Sequence, residues 1–371
     1  MSNMEIWIAL IIIGSIYSLI VLFSATAWLL LKNQGSSTPA TFPELSVIIA
    51  ARNESANIKK CLEGLIKQTY PVSTFEVIII NDHSTDDTVK VVNDFILKNK
   101  AANFRIINND KGRGKKAALK CGIETAKAEI IVTTDADCFM KKNWLDVLAK
   151  GFEAYNADML LGPVSITGTN GLAGMLQSLE FMSLMGITGG SAALNMPVLA
   201  NGANLAFKRS AFYEVNEYQS GSKYASGDDM FLLHEFKRRG KIIRFIKNAE
   251  AIVYTAGKSG INEFLQQRQR WAGKSFGYKD IATLIIAVIV LLTNLAIVAG
   301  TVSLFFAAST VLMPLIFLVG LKFAADFPII AATSNFFKKA SLLLLYPFAA
   351  IIYPWYVFIT FLRIIFIKPR W

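Results

Sequence analysis

Cysteine and histidine are scarce in this chain, which has three cysteines and two histidines among 371 residues. Cys61, Cys121 and Cys138 are odd in number and lack the paired spacing of a zinc site. A reduced, cytosol-facing domain is the simplest interpretation. His83 and His234 have no partner at the spacing of a metal site or a catalytic triad. Ser-His-Asp hydrolysis is therefore not predicted.

Charged residues are absent from three long stretches, residues 6–31, 281–321 and 341–362. Uncharged apolar runs of this length are typical of membrane spans. The first run has no basic region before it and continues past a sequence that resembles a signal-peptide cleavage site, so a retained span is favoured. Lys32 follows this run and no Lys or Arg precedes it. The positive-inside rule therefore predicts an outer N-terminus and an inner middle domain.

The same rule applies to the C-terminal runs. Lys274 and Lys279 precede residues 281–321 and Lys322 follows them, which predicts a hairpin of two spans with a short outer turn. The last run has basic residues on both sides, so its orientation stays open, and its prolines would allow a kink or a re-entrant course.

These patterns predict four regions along the chain. They are an N-terminal transmembrane helix over residues 1–32, a linker over 33–43, a cytosolic domain over 44–280 and a C-terminal membrane region over 281–371. The net charge of +11 does not predict nucleic-acid binding. The basic residues form no arm or stripe with interleaved aromatics, and many of them lie beside the spans.

The middle of the chain alternates strand and helix patterns, which predicts a mostly parallel sheet with helices on both faces. A buried β-branched run ends at Asp135-Ala136-Asp137, Asp82 follows the strand at 75–80, and Glu54 follows the strand at 45–50. Ligands of open α/β sheets bind at the carboxyl ends of strands, so these acids are expected at one edge. Their oxygens suit Mg²⁺ or Mn²⁺, although an isolated Asp-x-Asp also fits an ordinary polar loop.

Two common nucleotide-binding motifs are missing. Ala51-Arg52-Asn53-Glu54 stands where a dinucleotide-binding fold has its glycine-rich turn. Residues 112–116, Gly-Arg-Gly-Lys-Lys, lack the spacing of a Walker loop. Their cations could contact a diphosphate or could form a solvated basic loop.

Two further segments have both a structural and a functional interpretation. Gly227-Asp228-Asp229 opens a predicted helix, where carboxylates are favoured by the backbone dipole and could act only as a cap. Gln267-Arg268-Gln269-Arg270-Trp271 precedes a span. It could anchor the chain at the membrane interface, or bind a phosphate beside an aromatic face.

Taken in order, these motifs resemble those of membrane-bound, inverting family-2 glycosyltransferases. The resemblance covers residues 45–277 and the flanking spans. It implies an α/β GT-A domain, with a Rossmann-like mixed sheet, and transmembrane helices at both ends of the chain. It also implies a nucleotide-sugar donor, expected to be UDP-linked, and a lipid or glycan acceptor at the membrane.

The resemblance gives roles to individual residues. Asp82 is expected to contact the nucleotide base and Lys115 the diphosphate. Asp135 is expected to orient the donor and Asp137 to bind both the donor and Mg²⁺ or Mn²⁺. Asp229 is the candidate catalytic base. The remaining expected donor-binding residues are Glu54, Gln267, Arg270 and Trp271.

Two alternatives to a single-transfer, hexosyltransferase-type enzyme stay open. The Gln-x-x-Arg-Trp motif favours a processive polysaccharide synthase, whereas the small membrane region disfavours one. A catalytically inactive, membrane-tethered module that binds nucleotide sugars is the other alternative, and the intact acids argue against it. The expected location is the inner cell membrane, with several spans and a cytoplasmic catalytic domain.

Overall fold

The computed structural model describes residues 3–33, 39, 41–110, 112–168, 171–215 and 227–367. The chain divides into two compact units. The α/β unit comprises Leu31–Gly168 and Leu199–Gly257, and the helical unit comprises Met1–Leu30, Thr169–Val198 and Lys258–Trp371. Most of the predicted linker over residues 33–43 lies outside the described residues. The predicted domain boundaries stay a prediction.

The strands of the α/β unit are short and largely buried. They are β1 (Leu45–Ala51), β2 (Phe75–Asn81), β3 (Phe104–Asn108), β4 (Ile130–Asp135), β5 (Phe139–Met140), β6 (Met159–Leu161), β7 (Val164–Thr167), β8 (Leu205–Lys208), β9 (Ile243–Phe245) and β10 (Val253–Ala256).

Helices connect most of these strands. In chain order, the helices of the two units are α1 (Asn3–Leu30), α2 (Ile58–Ile66), α3 (Thr88–Asn99), α4 (Lys115–Thr125), α5 (Trp144–Tyr155), α6 (Gly171–Ala193), α7 (Arg209–Glu214), α8 (Asp228–Arg238), α9 (Ile261–Gly273), α10 (Ile281–Phe336) and α11 (Tyr346–Phe366).

The main sheet has the order β3-β2-β1-β4-β8-β6-β9 in the described part of the chain. Strands β3, β2, β1 and β4 are parallel, and β8 is antiparallel to both β4 and β6. The predicted mixed α/β sheet is therefore confirmed. Ala51 pairs with Asn81, and Ala50 pairs with Asp135, so the carboxyl ends of β2, β1 and β4 meet at one edge.

Burial explains why the central strands are continuous apolar runs. Every residue of β1 from Leu45 to Ile49 is buried, as parallel strands covered on both faces require. Helix α4 lies very close to this sheet, because a Cβ added at Gly122 would collide with Ile48.

The apolar sequence of residues 157–164 predicts one strand, and this prediction is wrong. The structure has two strands there, β6 in the main sheet and β7 in a small sheet of order β5-β10-β7. Gly162 and Pro163 separate them. Proline cannot donate to a ladder, and the Asn204 side chain occupies the space where a Cβ of residue 162 would lie.

Four helices in the described residues are long and apolar enough to cross a membrane, and this confirms apolar helices at both ends of the chain. Their candidate spans are Trp7–Leu30, Ile281–Phe306, Thr310–Phe336 and Ala340–Phe366. The two middle spans belong to the single element α10, 56 residues long. A Cβ added at Gly300 would lie 3.0 Å from Leu315 Cδ1. Because residues this far apart in a straight helix are about 22 Å apart along the axis, α10 folds back on itself.

Small residues allow the helices of the helical unit to pack closely. A Cβ at Gly14 would lie 2.6 Å from Leu318 Cδ1, and one at Gly186 would lie 2.6 Å from Ile329 Cγ1. At Gly190 the added atom would collide with the carbonyl oxygen of Ser24. Close approach of backbones at glycine is the usual way in which membrane helices associate.

Candidate active site

The Gly114–Lys115 pair at the start of α4 connects the ends of two strands. The Gly114 N–H donates to both oxygens of Asp82, at 3.0 and 2.9 Å. Lys115 Nζ donates to Asp135 Oδ1 at 2.5 Å. Gly114 has φ +95°, a conformation that favours glycine. Two adjacent residues thus bring together the predicted sites at the ends of β2 and β4.

Asp82 is buried, with 2% of its surface exposed. Besides Gly114, it accepts a hydrogen bond from Asn109 Nδ2 at 3.1 Å. Asn81, at the end of β2, accepts from the Ser84 N–H at 3.0 Å and donates to Asn108 at 3.0 Å. These contacts fix the turn after β2 in one shape.

Asp228 and Asp229 lie beside Lys115. The space next to the Gly202 Cα is bounded by Asp228 Oδ2, Lys115 Nζ and Asp229 Cβ, at 3.4, 3.6 and 3.7 Å from an added Cβ. The Gly202 N–H donates to Asp229 Oδ2 at 3.0 Å, and the Met230 N–H donates to Asp229 Oδ1 at 2.8 Å. Each Asp229 oxygen has a second lone pair with which it can accept a proton.

The charged groups in this cluster shift one another's pKa values. Burial lowers the pKa of Lys115, but the carboxylates of Asp135, Asp228 and Asp229 outweigh it and hold that pKa well above the ordinary value. Burial raises the pKa of the Asp228 carboxyl, which Lys115 opposes and Asp229 reinforces. Lys115 and Asp135 still expose 36% and 35% of their side chains, so a ligand can approach the pair.

The segment after β4 offers a group of possible metal ligands. Ligand atoms of Asp135, Asp137 and Cys138 all lie within 4.8 Å of one another. Thr255 Oγ1 donates to Asp137 Oδ2 at 3.4 Å, and Cys138 Sγ to Asp137 Oδ1 at 3.6 Å. Burial, reinforced by the two carboxylates, raises the pKa of the Cys138 thiol well above its ordinary value. The two carboxylates therefore fit a hard cation such as Mg²⁺ or Mn²⁺.

Glu54 lies in a turn locked to the turn after β2. Its N–H donates to Thr88 Oγ1 at 2.8 Å, and its carboxylate accepts from Asn57 at 2.9 Å. Asn53 has φ +56° and its Oδ1 accepts from the Thr85 N–H at 2.8 Å. Glu54 is thus placed at the same sheet edge as Asp82, but its carboxylate is engaged locally.

The remaining predicted donor-binding residues belong to the helical unit. Gln267, Arg270 and Trp271 lie on α9. The Trp271 ring packs against Phe181, with 6.3 Å between centroids, and the Arg268 guanidinium lies 4.2 Å from the Trp271 ring centroid. Their role in donor binding stays a prediction.

Sequence reasoning missed several residues that shape this site. Asp228 was given only a capping role, yet it is buried and faces Lys115. Gly202 supplies the amide that holds Asp229, within an Asn-Gly-Ala-Asn segment whose turn residues were an available signal. Cys138 directly follows the Asp-x-Asp pair, and nothing in its spacing marked it.

The sequence is similar to those of known glycosyltransferases. Residues 46–215 match the family described as Glycosyl transferase family 2. The glycosyltransferase AglE of Haloferax volcanii is 34% identical over 132 residues, which cover 36% of this chain and 43% of that protein. The poly-beta-1,6-N-acetyl-D-glucosamine synthase of Staphylococcus epidermidis is 27% identical over 233 residues, covering 62% and 53% respectively. The chain therefore spans about half the length of these curated relatives.

A solved structure shares the fold. It is the mannosyltransferase PcManGT from Pyrobaculum calidifontis in complex with GDP-Man and Mn2+. The alignment covers 99% of this chain and 100% of that one, with a TM-score of 0.60 and 18% sequence identity. The similarity supports a GT-A-like fold for this chain.

Proposed function

We propose that the chain, whose residues 46–215 match the family described as Glycosyl transferase family 2, transfers a hexose from a nucleotide sugar to a lipid or glycan acceptor at a membrane, with inversion. The donor is UDP-linked in this proposal. The catalytic domain faces the cytoplasm. One observation carries the proposal: Lys115 donates to Asp135 and lies close to both Asp228 and Asp229.

The reaction explains why such a cluster is useful. The bond from the anomeric carbon to the diphosphate oxygen breaks as an acceptor hydroxyl oxygen bonds to that carbon from the opposite face. The hydroxyl proton passes to the Asp229 carboxylate, and negative charge remains on the nucleoside diphosphate. A positioned general base typically contributes about 10²–10⁴-fold to such a step.

Fixed positive charge favours the leaving diphosphate. Lys115 supplies it, because its carboxylate neighbours keep it protonated. Asp135 and Asp137 would hold Mg²⁺ or Mn²⁺, which when bound would neutralise diphosphate charge. Asp82 would contact the base of the nucleotide, and Glu54, Gln267, Arg270 and Trp271 would complete the donor site.

Release of nucleoside diphosphate tests this proposal directly. The full chain in detergent is incubated with UDP-N-acetylglucosamine, UDP-glucose or GDP-mannose, with Mn²⁺ or with EDTA. We expect Mn²⁺-dependent release from one of these donors and a loss of at least about 10²-fold in Asp137→Asn. Asp94→Asn, an exposed carboxylate on α3, is the matched control.

Two results would contradict the proposal. Donor binding without any release, in the presence of candidate acceptors, would favour an inactive binding module. Equal release of nucleoside diphosphate by Asp137→Asn and by the control would show that Asp137 does not hold the metal. The length of the product then distinguishes single transfer from processive synthesis. This measurement is relevant because the Staphylococcus epidermidis relative is a polysaccharide synthase.

A further inference from the structure

Helices α9 and α11 pack along a seam that two contacts define. The rings of Phe264 and Tyr356 lie 5.4 Å apart at one end. At the other end, Gln269 Nε2 donates to the carbonyl oxygen of Arg363 at 2.9 Å. On α9, Arg268 lies between Phe264 and Gln269. On α11, Thr360 lies between Tyr356 and Arg363. The two residues are therefore level with each other.

Hydrogen-bond donors are left without acceptors along this seam. Within the described part of the chain, Arg268 Nε and Nη1, Thr360 Oγ1 and Arg363 Nε are buried atoms with no hydrogen-bond partner. Arg268 exposes only 4% of its surface. Buried polar groups in folded proteins are nearly always hydrogen-bonded, so a cluster of exceptions indicates an absent ligand.

The contacts that Arg268 does make leave these donors unsatisfied. Its Nη2 donates to Glu180 at 2.6 Å, and Tyr356 donates to the same carboxylate at 3.1 Å. Its guanidinium lies 4.2 Å from the Trp271 ring centroid and 4.9 Å from that of Phe264. Rings stabilise the charge of a guanidinium but provide no lone pair for its in-plane N–H groups.

The chemistry of the missing ligand follows from the donors. Guanidinium groups can only donate, Glu180 neutralises that of Arg268, and Arg363 adds a further positive charge to the seam. A ligand that satisfies both arginines and a hydroxyl must be an anion with several acceptor oxygens, which describes a phosphate.

The surroundings favour a lipid as the source of that phosphate. Helix α11 lies in the candidate span Ala340–Phe366. Next to the seam, Ile359, Ile365 and Phe366 expose 45%, 54% and 78% of their surface. We propose that the α9–α11 seam binds the phosphate headgroup of a membrane lipid, held by Arg268, Thr360 and Arg363. Basic pockets between membrane helices bind lipid headgroups in this way.

This proposal goes beyond sugar transfer, and its test uses no donor sugar. The full chain in neutral detergent is titrated with phosphatidic acid, phosphatidylcholine or inorganic phosphate, and bound lipid is counted by native mass spectrometry. We expect phosphatidic acid to bind about tenfold more tightly than phosphatidylcholine, and Arg363→Gln to weaken it about tenfold. Lys338→Gln removes an exposed cation at the end of α10 and should change binding by less than about twofold.

A second pair of variants protects the test against misfolding. Arg268→Gln with Glu180→Gln removes both charges of the buried pair together, and Thr360→Val keeps the side-chain volume. Both should lose the preference for phosphatidic acid while the thermal unfolding midpoint stays near that of the wild type. Equal binding of the two lipids, or equal losses in Arg363→Gln and Lys338→Gln, would overturn the proposal. Displacement of phosphatidic acid by an equal concentration of inorganic phosphate would assign the seam to free phosphate instead.

Discussion

The two units of this protein differ in how far their lysine–aspartate ion pairs are exposed to solvent. In the α/β unit, Lys115 and Asp135 form an ion pair that keeps about a third of each side chain exposed. In the helical unit, Lys322 and Asp326 expose 6% and 14% of their side chains, and Tyr17 donates to Asp326 Oδ1 at 2.7 Å. Three carboxylates, those of Asp135, Asp228 and Asp229, lie close to Lys115, whereas Lys322 is paired with the single carboxylate of Asp326.

This difference suggests different tasks for similar residue types. A partly exposed pair can exchange one partner for a ligand, because water already competes for its charges. A buried pair among apolar helices has no such competitor, and losing one member leaves an uncompensated charge. Substitutions in the first unit should therefore alter chemistry, and those in the second should alter stability.

The largest expected effect tests the first half of that contrast. Asp229→Asn keeps the shape of the side chain but removes the proposed base, so transfer should fall by about 10²–10⁴-fold. Donor affinity, measured by calorimetry, should change by less than about threefold, since Asp229 faces the acceptor in this proposal. The unfolding midpoint should fall modestly below that of Asp94→Asn, because one of the two backbone N–H groups bound by Asp229 loses its acceptor, and retained turnover would remove Asp229 from the role of base.

The next effect tests the second half. Asp326→Leu leaves Lys322 buried without its carboxylate and should cost about 3–5 kcal/mol of unfolding free energy, measured by SDS titration in mixed micelles. Lys322→Met combined with Asp326→Leu should recover most of this loss, because no unpaired charge then remains. Exposed Lys338→Met serves as the control. If the single and double variants are equally stable, the pair contributes little to packing.

The smallest effect concerns a carboxylate in the α/β unit that is structural. Hydrogen bonds from Ser55 and Thr88 hold the pKa of Asp86 below its ordinary value. A lowered pKa adds stability that is complete above the unfolded value of about 3.9 and is lost as pH falls through the folded value.

Asp86→Ala should therefore lower the unfolding midpoint at pH 7, and the difference from wild type should shrink below about pH 4. The neighbouring Asp87→Ala is the control, because its side chain makes no capping hydrogen bond. A difference that stays constant from pH 7 to pH 3 would show that Asp86 acts through packing alone.

Much of the fold could be predicted from local patterns. The runs that became β1, β2 and β4 are apolar and β-branched because both faces of the sheet are covered. Acids at strand ends pointed to the site, since the carboxyl edge of a parallel sheet is fixed by topology. The long apolar runs without charged residues form long helices, as their composition predicts.

Features that depend on distant contacts could not be predicted. The break between β6 and β7 depends on Asn204, which donates to the carbonyl oxygens of Pro163 and Ala251, at 2.8 Å each. The burial of Asp228 and its proximity to Lys115 arise only once α4 and α8 meet. Strands as short as β5, with two residues, carry no periodic signal.

The backbone contact between α1 and α6 also sets an order of assembly during synthesis. Ser24 lies on α1, which is made before the α/β residues 31–168, whereas Gly190 follows only after them. Helix α1 must therefore wait for its partner, and any side chain larger than hydrogen at position 190 would keep the two apart.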